Sequence, residues 1–448
     1  MPDRETGIKR AAGASAGGAS GAVAATAAEK HRRYLFPCAT TYYEQPLTLV
    51  RGEGMHVWDD AGRKYLDCFG GVLTVSVGHC HPDVTDAIVR QVQTLVHTST
   101  LYPNPPLSDL AEALAQILPG DLDRLFLTNS GTEADETAVL LARVHTGTHE
   151  VIVLRYGYSG RSMMAMAASG QAPWKQAGNP TPGFVHAVAP YCYRCPLKLT
   201  YPSCEVACAR DVEEVIQTAT SGRVAGMLAE VILGSGGFIV PPKEYFQIVA
   251  DIVRRAGGLF IADEVQTGWG RTGRMFGIEH YGVVPDVMTF AKGMANGSPI
   301  GCTATTSAIA SALKPLSFST FGGNPVTSAA ALATLRVIQK QKLADNARVL
   351  GERLLAGLRG LQRRYPVIGD VRGLGLMQAC ELVGKDKSPD SKSTALVLEG
   401  TRRRGVLIGK GGLWGNVLRL APPLTVSEAQ IDELVAALDA SFAELPQA

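Results

Sequence analysis

Three charged residues follow apolar, strand-like segments in the middle of the sequence. Glu230 ends the run "GMLAE", Asp263 ends "GLFIAD", and Lys292 comes directly after "DVMTFA". Charged side chains are rarely buried unless they are paired or reactive. Burial lowers the pKa of a lysine and makes its amine a nucleophile toward aldehydes. The pattern predicts a reactive amine near carboxyl groups, although for Asp263 alone a helix cap or an ion pair is the favoured interpretation.

A second segment, "NSGTEADE" at residues 129–136, is typical of a helix start that can bind an anion. Ser130 and Glu133 have the spacing of a capping box, so Glu133 is expected to fold back onto the backbone. The amides of Gly131 and Thr132 would then point out of the helix N-terminus toward a phosphate. A plain capped helix is the alternative. The segment lacks the second glycine of a dinucleotide-binding fingerprint and the lysine of a Walker motif.

An amine, an acid and a phosphate-binding helix start on one sheet edge fit pyridoxal phosphate. Lys292 would form a Schiff base with its aldehyde, and Asp263 would keep its pyridinium nitrogen protonated, so that the ring can act as an electron sink.

The elements that would position these groups alternate between about residues 85 and 330. Short apolar runs such as "VIVLR" are separated by helical stretches such as "PKEYFQIVADIVRRAG". Apolar strands separated by helices indicate an α/β fold with a mostly parallel sheet that is covered on both faces. Ligands bind such sheets at the C-terminal ends of the strands. Glu230, Asp263 and Lys292 all lie at or near such ends.

The chain is expected to have four segments. Residues 1–30, rich in Ala, Gly and Ser, should form a disordered tail. Residues 31–84 contain hairpin-like strands and should pack with a smaller α+β domain at residues 331–448. Residues 85–330 form the large, cofactor-binding domain. The small domain should close with an amphipathic helix, which begins at a capping box of Ser427 and Gln430.

Composition excludes several classes of function. The 448 residues carry a net charge of +2, which gives no indication of a nucleic acid or an anionic membrane as partner. The sequence contains no unbroken run of 18 apolar residues, which a transmembrane helix would require. The first 30 residues are too weakly apolar for a secretory signal, so we expect a cytoplasmic protein. Nine cysteines in such a chain do not indicate a disulfide framework.

Two groups of residues resemble metal ligands without forming a standard motif. Cys192, Cys195, Cys204 and Cys208 have the type and number of ligands that zinc requires, but not the spacing of a known finger. We predict reduced, packed thiols and no metal. The two histidines of "GHCHP" at residues 78–82 are expected to have structural roles, since metal sites need three or four converging ligands.

The segments "IADEVQTGWGRTG", "PDVMTFAKGMANGSPIG" and "STFGGNP" resemble the class III, fold-type I pyridoxal-phosphate aminotransferases. This family includes 4-aminobutyrate, ornithine, acetylornithine and alanine–glyoxylate transaminases, and the resemblance extends from about residue 40 to 440. It implies a large domain with a seven-stranded sheet, a small α+β domain and pyridoxal 5'-phosphate as cofactor. It also implies a homodimer with shared active sites.

The resemblance implies that four residues contact the cofactor ring. Lys292 corresponds to the Schiff-base lysine that also moves the proton, and Asp263 to the partner of the pyridinium nitrogen. Val265 corresponds to the residue that packs on the ring face, and Gln266 to the glutamine near the ring hydroxyl.

Further positions correspond to the family's phosphate and stacking residues. Gly131 and Thr132 match the phosphate cradle, and Thr320 matches a threonine that reaches the phosphate of the neighbouring subunit. Tyr158 in "RYGYSGRS" should stack on the ring. Ser159 replaces the family's usual histidine, a departure that would loosen the stacking shell.

The substrate side of the site rests on three charged residues. Arg419 in "VLRLAPPLT" matches the arginine that binds a substrate carboxylate. Glu230 matches a glutamate that pairs with this arginine and swings away, although Val231 stands where the family has a proline. Arg161 matches an arginine that contacts a carboxylate in the 4-aminobutyrate and acetylornithine branches.

The resemblance therefore predicts a transaminase that moves an amino group from an amino acid to a 2-oxo acid. We expect an ω-, β- or γ-amino acid donor and pyruvate, glyoxylate or 2-oxoglutarate as acceptor. A racemase, epimerase or decarboxylase on the same fold is one alternative. A zinc-holding interaction protein without catalysis is another, against which Lys292 and Asp263 argue.

Overall fold

The computed structural model describes residues 25–314 and 316–446. The chain divides into two compact units, Met1–Thr48 and Leu49–Ala448. In the first unit, helix α1 spans Ala27–Tyr34 and begins at a capping box of Thr26 and Glu29. The predicted tail therefore ends earlier than expected, because this cap satisfies the first amides of a helix. Residues 1–24 of that tail lie outside the described residues.

The second unit contains three sheets. The central sheet consists of β4 (Arg124–Thr128), β5 (Val151–Leu154), β6 (Phe184–Ala187), β7 (Gly226–Glu230), β8 (Leu259–Asp263), β9 (Val287–Phe290) and β10 (Gly301–Thr305). The first small sheet has β1 (Leu49–Glu53), β2 (His56–Asp59), β3 (Lys64–Asp67) and β13 (Val406–Leu407). The second has β11 (Ile368–Leu374), β12 (Met377–Leu382), β14 (Gly409–Gly411) and β15 (Val417–Leu420).

The central sheet has the strand order β4-β10-β9-β8-β7-β5-β6. Strands β6, β5, β7, β8 and β9 pair in parallel, and β10 runs antiparallel between β9 and β4. The prediction of a mostly parallel, seven-stranded sheet is confirmed. Strands β5, β7, β8 and β9 are buried along their length, which explains why they read as continuous apolar runs, whereas the edge strand β6 is only partly buried.

Twelve helices lie in the described part of this unit. They are α2 (Gly70–Leu73), α3 (Pro82–Thr94), α4 (Pro105–Ala115), α5 (Gly131–Thr146), α6 (Met163–Ala168), α7 (Ala207–Ala219), α8 (Tyr245–Arg255), α9 (Ser307–Ala310), α10 (Pro325–Lys340), α11 (Leu343–Arg364), α12 (Ser391–Arg403) and α13 (Glu428–Ala443). The predicted closing helix is α13, and the Ser427–Gln430 capping box is present.

The core of the central sheet fixes helix α5 against the strands. Ala138, Val139 and Ala142 of α5 pack with Val153 of β5 and Ile261 of β8 in one buried cluster. Burial of such side chains contributes about 1.5–3 kcal/mol each for the larger ones. Helix α5 is thereby held with its N-terminus at the edge where β7, β8 and β9 end.

The small sheets join distant parts of the chain. Strand β3 pairs in parallel with β13, so Leu66 lies opposite Val406. The expected packing of residues 31–84 with the small domain stays a prediction, as do the boundaries at residues 84, 85, 330 and 331. A second buried cluster, with Phe69, Phe238 and Met377 among its members, joins the loop after β7 to the small domain. Among the described residues, no helix is both long enough and apolar enough to cross a bilayer.

Candidate active site

The charged strand ends lie side by side on the central sheet. Glu230 at the end of β7 is in register with Asp263 at the end of β8, and Asp263 is in register with Thr289 of β9. Lys292 follows β9 and begins a short 3₁₀ turn. Since parallel strands end at the same edge, the three groups predicted from the sequence are brought together there.

These groups line a cavity of about 170 Å³ at the N-terminus of α5. It is formed by Gly131, Thr132, Asp135, Tyr158, Ser159, Gly160, Arg161, Glu230, Asp263, Val265, Gln266 and Lys292. Nine residues that the sequence predicted for the site are among them. Thr320 and Arg419 are not.

The start of α5 is built as the sequence predicted. Ser130 Oγ accepts a hydrogen bond from the amide of Glu133 at 3.2 Å. The Glu133 carboxylate folds back and accepts from the amide of Asn129 at 2.7 Å, one residue before the expected position. The amides of Gly131 and Thr132 belong to the first turn, where backbone donors have no partner within the helix. This end of α5 can therefore hold an anion.

Close backbone packing shapes the wall beside that helix start. A Cβ on Gly131 would lie 3.1 Å from Cγ1 of Val265, and a Cβ on Gly160 only 2.0 Å from Oγ1 of Thr132. The amide of Arg161 approaches the same hydroxyl at 3.4 Å. Glycine at position 160, with φ of 129°, therefore lets the segment at residues 158–161 close over the start of α5.

Lys292 has an uncommon backbone and a perturbed amine. Its φ of 45° is in the left-handed region, which non-glycine residues adopt mainly where the structure imposes it. Burial lowers its pKa, while the nearby carboxyls of Asp263, Glu230 and Asp135 act in the opposite direction. A lysine held in this way has the nucleophilicity that Schiff-base chemistry requires.

Asp263 and Glu230 are both buried carboxyl groups held by backbone amides. Asp263 Oδ1 accepts from Val265 N at 2.8 Å, and burial raises the pKa of Asp263 to about 6. The two oxygens of Glu230 accept from Tyr158 N and Gly234 N, each at 2.8 Å. Burial, followed by the charge of Asp263, raises the pKa of Glu230 to about 8. Both carboxyls are therefore poised to change protonation near neutral pH.

Arg419 lies next to the cavity, behind the loop that follows β7. Its guanidinium donates to the carbonyls of Lys410 at 2.8 Å and Gly234 at 3.3 Å, and it stacks over Phe69 at 4.9 Å from the ring centre. Gly234 therefore links Glu230 and Arg419, through its amide and its carbonyl respectively. The expected pairing of Glu230 with Arg419 stays a prediction.

The remaining predicted residues occupy distinct places. The ring of Tyr158 lies edge-on to Trp174 at 5.1 Å, at one wall of the cavity. Arg161 is exposed at its rim. Thr320 is exposed in a separate surface cavity, which it shares with Asn129 and Glu133.

The sequence prediction missed Asp135. It lies on α5, is 1 % exposed, and lines the cavity with Asp263 and Lys292. A sign of it was available, because Ala134, Ala138 and Ala142 mark the buried face of the helix at helical spacing and Asp135 falls beside them.

The groups that line the cavity fit pyridoxal phosphate on their own chemistry. Gln266 Oε1 is buried and has no hydrogen-bond partner among the described residues. Such atoms are rare in native proteins, and one that lines a cavity is available to a bound group. An unpaired glutamine oxygen, an anion-binding helix start, a reactive amine and a carboxyl for a ring nitrogen are together the groups that this cofactor uses.

The four clustered cysteines surround a different and much smaller cavity of about 20 Å³. Burial raises the pKa of Cys208 to about 12 and also raises that of Cys192. Within residues 25–314 and 316–446, no group of three or more His, Cys, Asp or Glu is arranged to hold a metal ion. His79 bonds to Asp67 at 2.9 Å, and His81 caps α3, so both make structural contacts.

Comparison with known proteins identifies the family of the chain. The family model described as aminotransferase class-III matches residues 38–442. The chain is 43% identical over 420 residues to alanine–glyoxylate aminotransferase 2 homolog 2, mitochondrial, of Arabidopsis thaliana, with 93% of this chain and 87% of that protein covered. It is 37% identical over 407 residues to the acetylornithine aminotransferase of Methanothermobacter thermautotrophicus, with coverage of 90% and 96%.

A solved structure shows the same fold. The (S)-enantioselective ω-transaminase of Thermomicrobium roseum superposes with a TM-score of 0.87 at 35% identity, covering 93% of this chain and 97% of that one. The chain therefore belongs to the class III aminotransferases. It is a transaminase that uses pyridoxal 5'-phosphate to move an amino group between an amino acid and a 2-oxo acid. The prediction of the family and of transamination is confirmed.

Proposed function

We propose that the amino donor carries its carboxylate away from the reacting amine, as β-, γ- and other ω-amino acids do. The acceptor is a 2-oxo acid such as pyruvate, glyoxylate or 2-oxoglutarate. The observation that carries this proposal is the position of Arg161, which lines the same cavity as Lys292. In the described ranges, Arg161 has no acidic side chain within ion-pair distance. Its guanidinium is therefore available to a carboxylate of the substrate.

A second guanidinium, that of Arg419, lies beside the cavity and gives the site two places for carboxylates. A dicarboxylate would use both. A monocarboxylate donor would use Arg161, and Glu230 would then balance the charge of Arg419, because an unpaired arginine in a closed pocket is costly. The name of one relative supports the donor part of this proposal, because N-acetylornithine has its free amine far from its carboxylate. The alanine–glyoxylate relative is named for an α-amino acid donor and supports only the acceptor part, because glyoxylate is a 2-oxo acid.

A donor panel tests the proposal. Purified holoenzyme is assayed with 4-aminobutyrate, β-alanine, N-acetylornithine, alanine and a carboxylate-free amine, each against the three acceptors. Arg161→Ala should raise KM for the preferred ω-amino acid by about 10- to 150-fold, equivalent to roughly 1.5–3 kcal/mol for a charged hydrogen bond. Arg161→Lys is the matched control, which keeps the charge and loses the bidentate geometry. An equal loss with the carboxylate-free amine would show that Arg161 is structural.

The same proposal gives each residue of the cavity a task in the reaction. When bound, pyridoxal 5'-phosphate supplies the electron sink. The Lys292 amine would hold the cofactor and would then accept and return a proton as the general base and acid. Asp263 would keep a proton on the ring nitrogen, and Gln266 would bind the ring hydroxyl.

The remaining wall of the cavity orients the cofactor. The amides of Gly131 and Thr132 hold the phosphate at the start of α5. Val265 and Tyr158, which line the cavity, would pack against the ring. Together these groups fix the angle at which the donor carbon meets Lys292.

We further infer a homodimer in which Thr320 completes the partner's phosphate site. Thr320 does not line the cavity of its own chain, and it lies among exposed apolar side chains at Leu316, Phe318 and Phe321. Exposed apolar side chains in one segment are typical of an interface.

Mixed dimers test the shared site. Thr320→Ala should weaken cofactor retention, and Lys292→Ala should be inactive. If Thr320 acts in the neighbouring site, a mixed dimer places both lesions in one site and leaves the other intact. Activity should therefore return on mixing, and no return despite proven subunit exchange would contradict the proposal.

A cytoplasmic location also stays a prediction, since relatives such as the Arabidopsis protein are named as mitochondrial. Fractionation of the source cells with an antibody against this chain tests it.

A further inference from the structure

Asp135 is a buried carboxyl group in the cofactor cavity that has no role in the reaction described so far. It is 1 % exposed and belongs to the face of α5 that packs on the sheet. A carboxyl group in such a place is costly unless it is paired or neutral. In the described residues it takes part in no ion pair. Its presence therefore needs another explanation.

Its contacts connect it to the cofactor-binding acid. Asp135 Oδ1 is 2.7 Å from the hydroxyl of Thr289, which donates to it. Thr289 is in register with Asp263 on the adjacent strand, and its carbonyl accepts from the amide of Glu264 at 3.0 Å. Asp135 and Asp263 thus face the same cavity from the helix and from the sheet.

The charges around Asp135 do not balance with all carboxyls ionised. Asp263 faces it from β8, Glu230 from β7 and Lys292 from the turn after β9. The cavity of about 170 Å³ holds three carboxyls and two cations, which are the Lys292 ammonium and, exposed at the rim, the Arg161 guanidinium. Burial, and then the charge of Asp263, raises the pKa of Asp135 well above its ordinary range, and Lys292 and Thr289 offset this only in part. Close carboxyls share one charge because they cannot both ionise.

We propose that Asp135 is a positioning residue for the cofactor, an uncharged carboxyl group that shares a single negative charge with Asp263. While it is neutral, the charge stays on Asp263, where the ring nitrogen binds. Asp135 also lies one helical turn from Gly131, at the end of α5 assigned to the phosphate. If it ionised, its charge would repel the phosphate, and the protein would hold its cofactor less tightly.

The inference concerns cofactor binding and predicts a pH dependence. Asp135→Asn has nearly the same shape and is permanently uncharged. At neutral pH the variant should bind pyridoxal phosphate as tightly as the wild type, within about threefold. Toward alkaline pH the wild type should lose affinity relative to the variant, by up to about tenfold per pH unit for one titrating group. Fluorescence titration of apoprotein with pyridoxal phosphate from about pH 6 to 9.5 measures both curves.

A second measurement requires no cofactor at all. A carboxyl group whose pKa is raised by folding stabilises the protein fully below its unfolded pKa and loses this contribution as pH rises through its folded pKa. Unfolding of the apoprotein in urea should therefore show Asp135→Asn gaining stability over the wild type as pH rises. Glu214→Gln, which removes an exposed carboxylate of α7, is the control and should leave both pH profiles unchanged.

The outcomes separate this inference from the proposed cofactor site on which it rests. If Asp135→Asn weakens cofactor binding equally at all pH values, Asp135 acts as a charge and the inference is wrong. If its profile parallels that of the wild type, the inference is also wrong. If Lys292→Ala still carries the cofactor covalently, the cofactor site itself is misassigned, whatever Asp135 does.

Discussion

Two buried clusters of charge in Leu49–Ala448 treat their carboxyl groups in opposite ways. At the small domain, Glu381 of β12 receives hydrogen bonds from Tyr191 and Arg194 and an ion pair from Arg372 at 2.8 Å. Burial opposes its charge, but Arg372 and these donors lower its pKa below the ordinary value. At the cavity, Glu230 is also buried and receives only backbone amides, and its pKa rises to about 8.

The opposite pKa shifts of Glu381 and Glu230 indicate that the two buried clusters have different roles. The Glu381 cluster is satisfied by its own chain and ties the loop at residues 191–194 to the small domain. The cavity has three carboxyls and two cations, and burial raises the pKa of its carboxyls instead of each being paired. A paired cluster therefore contributes to the architecture, and an unpaired one indicates where a ligand binds.

The largest effect should follow from removing the cation of the unpaired cluster. Lys292→Ala leaves three carboxyls without their ammonium and removes the nucleophile. Activity should fall by roughly 10²–10⁴-fold or more, the worth of a general acid–base group. Borohydride treatment followed by peptide mapping should link the cofactor to Lys292 in the wild type and to no lysine in the variant. A reducible link at another lysine would contradict the assignment.

A loss of stability is expected when the paired cluster is broken. Glu381→Gln removes the countercharge of Arg194 and leaves the buried guanidinium of Arg372 with Asp370 alone, so it should lower the free energy of unfolding by up to about 3–5 kcal/mol. The matched control is Asp432→Asn, which breaks an exposed pair with Arg353 and should cost at most about 1 kcal/mol. Denaturant unfolding measures both. Equal losses would mean that the two pairs are energetically alike and that the comparison fails.

Replacing Glu230 by glutamine should change stability in the opposite direction to replacing Glu381. Because the pKa of Glu230 is about 8 in the folded protein and 4.5 ordinarily, its contribution to stability is fully present below about 4.5. This contribution falls as pH rises from about 4.5 to about 8, and above about pH 8 the stability does not change further through Glu230. Over this window Glu230→Gln apoprotein should gain stability relative to the wild type by up to about 1.4 kcal/mol per pH unit. A gap between the two proteins that does not change with pH would contradict the raised pKa.

The smallest effect is expected at the cysteine cavity, where burial raises the pKa of Cys192 and Cys208 and the comparison predicts no bound ion. Metal analysis should find far less than one zinc per chain, and a chelator should not shift the Tm. About one tightly held zinc per chain would overturn this prediction.

The sequence predicted the residues at strand ends because their position follows from a local pattern. Lys292 and Asp263 each end an apolar run, and parallel strands bring such ends together. Asp135 could not be assigned in this way, since three acids lie close together at the start of α5 and only the sheet decides which of them is buried. The pairing of Arg372 with Glu381 arises across adjacent strands of a hairpin, and a sequence pattern does not show which charges meet there. The role proposed for Thr320 requires a second chain, which the pattern of a single sequence does not show.

The contact between Gly160 and Thr132 limits how this site can change over evolutionary time or in a mutant library. Any side chain at position 160 would collide with the helix start, so nearly every substitution there should be rejected before its effect on substrate choice can be expressed. Ser159 and Arg161, its immediate neighbours, line the same cavity without that constraint. Variants with new donor preferences should therefore carry substitutions at Ser159 or Arg161 and keep glycine at position 160. Saturation mutagenesis of Ser159 and Arg161 is the direct way to find them.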